Sequence, residues 1–166
     1  MELFFKKSNV AEAVSSLHPD KVADRFSDIV LETIKEVDNN ALCGIETLIK
    51  NDVIVVAGEV KTTIKNIEPI LEFALLKLNE QLPQVYQVSK ITNLIGTQSV
   101  EINKAVVKEN EIGAGDQGFV YGYSNNYTTH RLPFLTQVAT DVIDILEKAR
   151  IKGEHKIVGD AKSQAY

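Results

Sequence analysis

The chain has 166 residues, enough for one domain or two small ones, with 44% hydrophobic and 25% charged residues. This composition is typical of globular proteins, and no apolar run approaches the roughly 20 residues that a membrane span needs. The net charge is -5 and no segment concentrates basic residues, which argues against nucleic acid as a partner. With one cysteine and no secretory signal pattern at the N-terminus, a cytoplasmic location is the expectation.

Apolar periodicity predicts three helices that alternate with short strands. Helical spacing is clear from Val22 to Val37, and Pro19 fits the first turn because its missing N–H would be unpaired there. The predicted elements, in chain order, are a strand at 3–7, a helix at 19–37, strands at 41–50 and 53–62 joined by two residues, a helix at 67–82, a strand at 88–95, a partly ordered loop at 98–112, a glycine-rich turn at 113–118, a strand at 119–123, a helix at 132–150 and a polar tail at 156–166. This order predicts an α+β fold, with helices packed on one face of mixed sheets.

The segment His18-Pro19-Asp20-Lys21 places a histidine, a carboxylate and an ammonium at a predicted helix start. A helix N-terminus attracts anions, so these residue types are suited to a metal-bridged phosphate. A capped helix start with solvated charges explains the same residues, and local chemistry alone favours that simpler interpretation.

The segment 113–118 contains three glycines, which permit positive φ and close approach of a ligand to the backbone. Asp116 would then be placed to hold an ammonium group or a metal. A tight turn explains the same residues, and the spacing matches neither common glycine-rich nucleotide pattern.

Two pairs of charged residues lie on predicted extended segments. Glu46 shares a strand face with apolar residues, which is costly unless the carboxylate is paired or faces solvent, and Glu59 lies on the neighbouring strand. Asp160 and Lys162 would point to one side of an extended segment, although a frayed tail is the simpler expectation.

The remaining candidates for chemistry carry little signal. His130 and His155 have no metal-ligand spacing to each other or to Cys43. Both histidines are expected at the surface, and Cys43 is expected as a small core residue.

Taken together, six motifs resemble those of the S-adenosylmethionine synthase (methionine adenosyltransferase) family, in the family's order and across nearly the whole chain. The glycine segment 113–118 is identical to the family's signature. The other five motifs are His18-Pro19-Asp20-Lys21, Glu46-Thr47, Gly58-Glu59, Gly96-Thr97-Gln98-Ser99 followed by Ile102-Asn103, and Asp160-Ala161-Lys162-Ser163-Gln164. The resemblance implies a synthase-like N-terminal domain at 1–112 and the start of a second, incomplete domain at 113–166.

The resemblance also implies a reaction and a set of residue roles. In that reaction the methionine sulfur attacks C5′ of ATP, displaces the triphosphate, and the triphosphate is then hydrolysed, with Mg²⁺ and K⁺ as cofactors. The implied roles are His18 and Lys162 as catalytic residues beside the phosphates, Asp160 at the ribose, Glu59, Gln98 and Asp116 around methionine, Asp20 as a magnesium ligand and Glu46 at the potassium site. Such chemistry depends on in-line positioning and charge stabilisation, since it needs no protein nucleophile.

Several positions depart from the family pattern. Leu17 replaces a glycine before the histidine, Ala57 replaces the first of two glycines, and Val100-Glu101 stands where the family has Pro-Asp. The lost proline frees the backbone of the loop that closes the family's active site.

The family's second half, with most of its phosphate-binding residues, has no counterpart in this sequence. The first hypothesis is therefore a half-enzyme that needs a complementary synthase-like chain or self-association. The alternatives are a non-catalytic regulatory or binding subunit that docks on a full-length synthase, and a fragment of a longer protein.

Overall fold

A computed structural model describes residues 9–97, 107–108, 111–112, 119–154 and 159–166. The chain forms two compact units. The terminal unit contains Met1–Lys21 and Val120–Tyr166, and the inner unit contains Val22–Phe119. The strand predicted at 3–7 and the turn predicted at 113–118 lie outside the described residues, and the division predicted between 112 and 113 stays a prediction.

Helices and strands alternate along the chain, as the apolar periodicity predicts. The elements are β1 (Ala11–Val14), α1 (Pro19–Val37), β2 (Leu42–Lys50), β3 (Val53–Lys61), α2 (Glu68–Gln81), a short 3₁₀ turn (Gln84–Tyr86), β4 (Lys90–Thr97), β5 (Val107–Lys108), β6 (Glu111–Ile112), α3 (Phe134–Ile151) and β7 (Lys162–Ala165). Helix α1 begins in the terminal unit and continues through the inner unit. Within the described segments, no helix is long and apolar enough to cross a membrane.

A three-stranded mixed sheet in the order β2-β3-β4 organises the inner unit. Strands β2 and β3 are antiparallel, and β3 and β4 are parallel. The two-residue connection predicted at Asn51 and Asp52 is confirmed, because Lys50 pairs directly with Val53. Asn51 has a φ of 56°, a conformation that asparagine tolerates better than most residues, so the turn forms without glycine.

Helices α1 and α2 cover the same face of this sheet. Thr47 on β2 and Asn93 on β4 flank Val56 in register, so their side chains point to one face. Thr47 Oγ1 is 2.7 Å from Ser27 Oγ on α1, and Asn93 Nδ2 donates to Glu68 Oε1 on α2 at 2.8 Å. The largest side chains of the resulting core are Phe26, Val30, Ile34, Ile54, Val56, Leu71 and Leu78. The predicted α+β class, with helices on one sheet face, is confirmed.

Gly58 is required by the close approach of β2 and β3. Its φ is 128°, a backbone conformation that residues with a side chain rarely adopt. A Cβ at this position would collide with the carbonyl oxygen of Gly44 and would lie 2.9 Å from the Cα of Ile45. The Gly58-Glu59 motif thus has a structural basis, because the glycine sets the path of the strand that carries the glutamate.

The terminal unit is a helix on a two-stranded sheet. Strands β1 and β7 pair antiparallel, and α3 packs on both of them. Ser163 Oγ on β7 donates to the Ala139 carbonyl on α3 at 2.6 Å. Helix α3 ends at the predicted glycine, where Gly153 has a φ of 72° and Glu154 N donates to the Ala149 carbonyl at 2.9 Å.

Two expectations for the terminal unit are wrong. The tail predicted to fray instead contains β7, because β1 supplies a partner strand that is distant in sequence and was not itself predicted. The strand predicted at 119–123 is irregular backbone with exposed side chains, although its aromatic and β-branched residues favour a strand. A strand needs a neighbouring backbone to pair with, and among the described residues none pairs with this segment.

Candidate functional site

Ser15 connects the start of α1 to the chain segment before β7. Its backbone N–H donates to the Ala161 carbonyl at 2.9 Å, and its buried hydroxyl donates to the Gly159 carbonyl at 2.5 Å. The next turn forms when His18 N donates to the Ser15 carbonyl at 3.1 Å. The hydrogen bonds of Ser15 therefore link two of the sequence motifs, 18–21 and 160–164, within the terminal unit.

Leu17, which departs from the family's glycine, is buried in the core. Helix α1 still begins at Pro19, directly after His18.

His18 and Asp20 form a compact pair at the N-terminus of α1. The backbone N–H of Asp20 donates to Nδ1 of His18 at 3.2 Å, and the carboxylate Oδ2 of Asp20 is 3.7 Å from the same nitrogen. Because Nδ1 accepts a hydrogen bond, the neutral imidazole carries its proton on Nε2. The side chain of Asp20 is 85% exposed, so its carboxylate is open to a ligand.

Lys162 pairs with Glu12 across the two-stranded sheet. The distance from Lys162 Nζ to Glu12 Oε2 is 2.8 Å, and Gln164 Nε2 donates to the same oxygen at 3.1 Å. The hydrogen bond from Lys162 is the largest reason why the pKa of Glu12 is lowered from its usual value. The hydrogen bond from Gln164 lowers this pKa further.

A cavity of about 480 Å³ lies beside these residues. Glu12 and Asp20 both line it, together with Ala13, Val14, Lys21 and Thr140. Since Glu12 holds Lys162 by a direct contact, the lysine ammonium lies next to the wall of this cavity. Two carboxylates of the terminal unit therefore line one opening, and each has a basic neighbour: Lys162 contacts Glu12, and His18 contacts Asp20.

Glu46 and Glu59 lie on paired strands, as predicted, and the register of the strands places both on the outer face of the inner unit's sheet. Glu46 pairs with Ala57, and Glu59 lies between Gly44 and Gly96 in register. Both carboxylates are exposed, so neither carries the desolvation cost that a buried carboxylate would. The two glycines leave the sheet surface bare around Glu59, which gives a ligand room to approach its carboxylate.

The predicted site residues thus fall into three groups. His18, Asp20 and Lys162 are brought together in the terminal unit, where Asp160 is exposed just before β7. Glu46 and Glu59 lie together in the inner unit. Gln98 and Asp116 lie outside the described residues, so their placement stays a prediction.

Sequence reasoning missed two residues of the terminal unit. Glu12 and Ser15 gain their significance from partners more than 140 positions away in the chain. The one available signal was a lone charge in the short apolar run around Glu12. Of the remaining candidates, His130 is exposed as predicted and His155 lies outside the described residues. Cys43, expected in the core, is half-buried, and desolvation raises the pKa of its thiol.

Comparison with known proteins places these features in a family. The family model for the N-terminal domain of S-adenosylmethionine synthetase matches residues 6–100, and the model for the central domain matches residues 111–166. S-adenosylmethionine synthases from Borrelia garinii subsp. bavariensis and Wolinella succinogenes are 35% and 37% identical to the chain over 163 and 166 residues. Each match covers 93% of this chain and 42% of the relative.

A solved structure described as an unusual S-adenosylmethionine synthetase from Campylobacter jejuni has the same fold, with a TM-score of 0.65 at 24% identity. It covers 94% of this chain, which accounts for 41% of the solved chain. The fold is that of a synthetase-type α+β protein. The chain belongs to the S-adenosylmethionine synthetase family, and it spans about 42% of the length of the relatives it matches.

Proposed function

We propose that the chain is one half of a methionine adenosyltransferase, which makes S-adenosylmethionine from ATP and L-methionine and then hydrolyses the triphosphate. The observation that carries the proposal is one cavity lined by Asp20 and Glu12 in a member of this family, with His18 beside Asp20 and Lys162 paired with Glu12. His18, Asp20 and Lys162 are the three residues that the family resemblance assigns to the phosphate side of the reaction.

In the proposed reaction the sulfur lone pair of methionine forms a bond to C5′ of ATP. The C5′–O5′ bond breaks, and the leaving triphosphate keeps the electron pair. His18 would donate a hydrogen bond from Nε2 to a phosphate oxygen, since its Nδ1 is occupied by the N–H of Asp20. Lys162 would provide a second positive contact, and both contacts strengthen as charge develops on the leaving group.

Asp20 has the properties of a magnesium ligand. Magnesium in nucleotide sites is usually held by one or two carboxylates together with phosphate oxygens and water. Asp20 is proposed to share a magnesium ion with the phosphates of ATP; among the described residues no group of three or more acidic, histidine or cysteine side chains could hold a metal ion. Bound there, magnesium would neutralise negative charge on the triphosphate.

Potassium is less well supported by the residues around Glu46. The cross-strand neighbours of Glu46 on the described face are Ala57 and Leu94, whose side chains offer no oxygen ligands. These two neighbours add no oxygen ligand to Glu46, and no step of the proposed reaction depends on potassium.

Methionine would bind at the outer sheet face, with Glu59 as the partner of its ammonium group. Exposure of this carboxylate between two glycines supports that role. Gln98 and Asp116 are proposed to complete the methionine site, and Asp160 is proposed to contact the ribose.

A complementary chain is part of the proposal, because the relatives have more than twice this length and the terminal unit has an uncovered apolar surface. On α3 the side chains of Phe134, Val138, Val142 and Ile145 form an exposed stripe at helical spacing. Apolar surface of this kind marks interaction sites in folded proteins.

The test is S-adenosylmethionine formation from labelled methionine and ATP with magnesium. The chain is assayed alone and after mixing with the part of the Wolinella succinogenes synthase that lies beyond the matched region. We expect product only in the mixture, and we expect Asp20→Ala and Lys162→Ala each to remove most of it. Absence of product with every complementary half tried would contradict the proposal.

A non-catalytic docking subunit is the second candidate, and the exposed stripe on α3 supports it equally well. The two candidates differ in their dependence on the charged residues. If the chain only modulates a full-length synthase, the double variant Asp20→Ala/Lys162→Ala should change that synthase's rate as much as the unmodified chain does.

A further inference from the structure

We propose that Glu12 is a positioning residue for Lys162, whose ammonium it holds at the wall of the cavity where the triphosphate would bind. The inference rests on the proposed function, because it takes Lys162 as a phosphate contact. Its new element is Glu12, which none of the sequence motifs includes.

The pairing of β1 and β7 places the two side chains on one face. Glu12 lies directly opposite Gln164, and Lys162 lies diagonally across from Glu12 on the same face. One carboxylate oxygen of Glu12 accepts from Lys162 Nζ at 2.8 Å and from Gln164 Nε2 at 3.1 Å. Gln164 therefore fixes the orientation of the carboxylate that in turn fixes the lysine.

The pair is poorly suited to a purely structural role. The side chains of Glu12 and Lys162 are 52% and 43% exposed, and ion pairs at this exposure contribute little to stability. The contact does restrict a lysine side chain with four rotatable bonds, which would otherwise sample many rotamers. Its main effect is therefore expected on ligand binding, where an ordered lysine loses less entropy.

The negative charge of Glu12, considered alone, predicts that this residue weakens the binding of an anion in the cavity. Glu12 lines the cavity, so its negative charge repels a polyphosphate there. Removing that charge should strengthen anion binding if repulsion is the only influence. If Glu12 also positions Lys162, anion affinity should be higher for a replacement that still holds the lysine than for one that does not. This difference in affinity separates positioning from repulsion.

The variants Glu12→Ala and Glu12→Gln remove the same charge, but only glutamine keeps an oxygen that can accept from Lys162. Each full-length variant is titrated with inorganic tripolyphosphate in the presence of EDTA, so that metal ligation plays no part. Backbone amide NMR shifts report binding. We expect tripolyphosphate to bind Glu12→Ala about three- to tenfold more weakly than Glu12→Gln, as expected for one side chain that must be ordered on binding.

The control is the same pair of substitutions made in a Lys162→Ala background, where the difference between alanine and glutamine should vanish. Circular dichroism and thermal unfolding verify that all variants fold. Equal or tighter binding by Glu12→Ala would overturn the proposal, as would a failure of the unmodified chain to bind tripolyphosphate. Neither result decides the proposed function, because product formation with a complementary half is measured separately.

Discussion

In the inner unit, the helices and the sheet bury the faces that they turn toward each other, whereas in the terminal unit one side of α3 is exposed to solvent. In the inner unit, Phe26, Val30 and Ile34 of α1 are fully buried. In the terminal unit, the buried part of α3 is limited to Gln137, Ala139 and Ile143. The large apolar side chains that the terminal unit exposes are Val10, Val120, Tyr121, Tyr123, Tyr127, Phe134, Val138, Val142, Ile145, Ile151 and Tyr166.

The difference follows from the number of strands that each unit contributes. Three strands give α1 and α2 a sheet wide enough to cover, but β1 and β7 form a sheet of two strands. A two-stranded sheet is marginal by itself and covers one side of a helix at most. The unit that carries His18, Asp20 and Lys162 therefore leaves one side of α3 uncovered, which is the surface that the proposed half-enzyme would use for its complementary chain.

The substitution Gly58→Ala should have the largest effect, and it tests the stability of the inner unit. The new Cβ would overlap the Gly44 carbonyl, and the positive φ is unfavourable for alanine. Together these effects should lower the free energy of unfolding by about 3 to 5 kcal/mol. Urea unfolding measures the loss of stability, and hydrogen exchange of the β3 amides tests whether the loss affects the inner unit.

Gly44→Ala is the matched control for this prediction. A Cβ on Gly44 would make an ordinary contact of 3.8 Å with the Glu59 carbonyl oxygen. Its effect should stay within about 0.5 kcal/mol. If the two variants lost similar stability, the close approach of β2 and β3 at Gly58 would not be the cause.

Two isoleucines on α3 test whether the terminal unit is open on one side. Ile143 is 5% exposed, and Ile145 on the other side of the helix is 65% exposed. Ile143→Ala should lower the free energy of unfolding of this unit by about 2 to 4 kcal/mol. Ile145→Ala should change it by no more than about 0.5 kcal/mol.

Concentration dependence makes the isoleucine comparison sharper. Thermal unfolding of both variants is measured over a wide range of protein concentrations. A large loss for Ile145→Ala that grows with concentration would mean that a second copy of the chain already covers the stripe. In that case self-association would replace the complementary chain as the expected partner of α3.

The sequence predicted the inner unit better because its elements are long and their signals are local. Helical periodicity over α1 and α2 and the two-residue turn at Asn51 depend on neighbouring residues alone. Glu46 and Glu59 were placed correctly on two paired strands, because only two residues separate the two strand-like runs.

The terminal unit was predicted less well because its structure depends on contacts between distant residues. Strand β7 has four residues, and its partner β1 lies almost at the other end of the chain. The aromatic segment at 119–123 has strand propensity but lacks a paired strand among the described residues. For the same reason no local pattern could connect Glu12 with Lys162.

Ser15→Ala tests whether the chain before β7 is held in place. The substitution removes the buried hydrogen bond to the Gly159 carbonyl and should cost about 1 kcal/mol. The loss should be local, so amides of β7 should exchange faster while those of β3 are unchanged. If the exchange of β7 amides stayed the same, the frayed tail expected from sequence would be the better description.

The smallest effect concerns Asp38, which joins the end of α1 to the end of β3. Its carboxylate accepts from Thr63 N at 2.8 Å, from Thr62 Oγ1 at 2.9 Å and from Thr63 Oγ1 at 3.1 Å. The hydrogen bond from the Thr63 backbone is the largest reason why the pKa of Asp38 is lowered from its usual value. Folding therefore favours the ionised carboxylate.

A lowered pKa gives the pH dependence a definite sign. The contribution of Asp38 to stability should be fully present above the pKa of an unfolded aspartate, about 3.9, and should be lost as the pH falls through the lower folded value. Urea midpoints of the unmodified chain and of Asp38→Asn are compared between pH 2 and 6. The two midpoints should converge at the acid end, because protonation and amide substitution both remove the charged acceptor. A difference that stayed constant across this range would show that the charge of Asp38 does not hold the junction of α1 and β3.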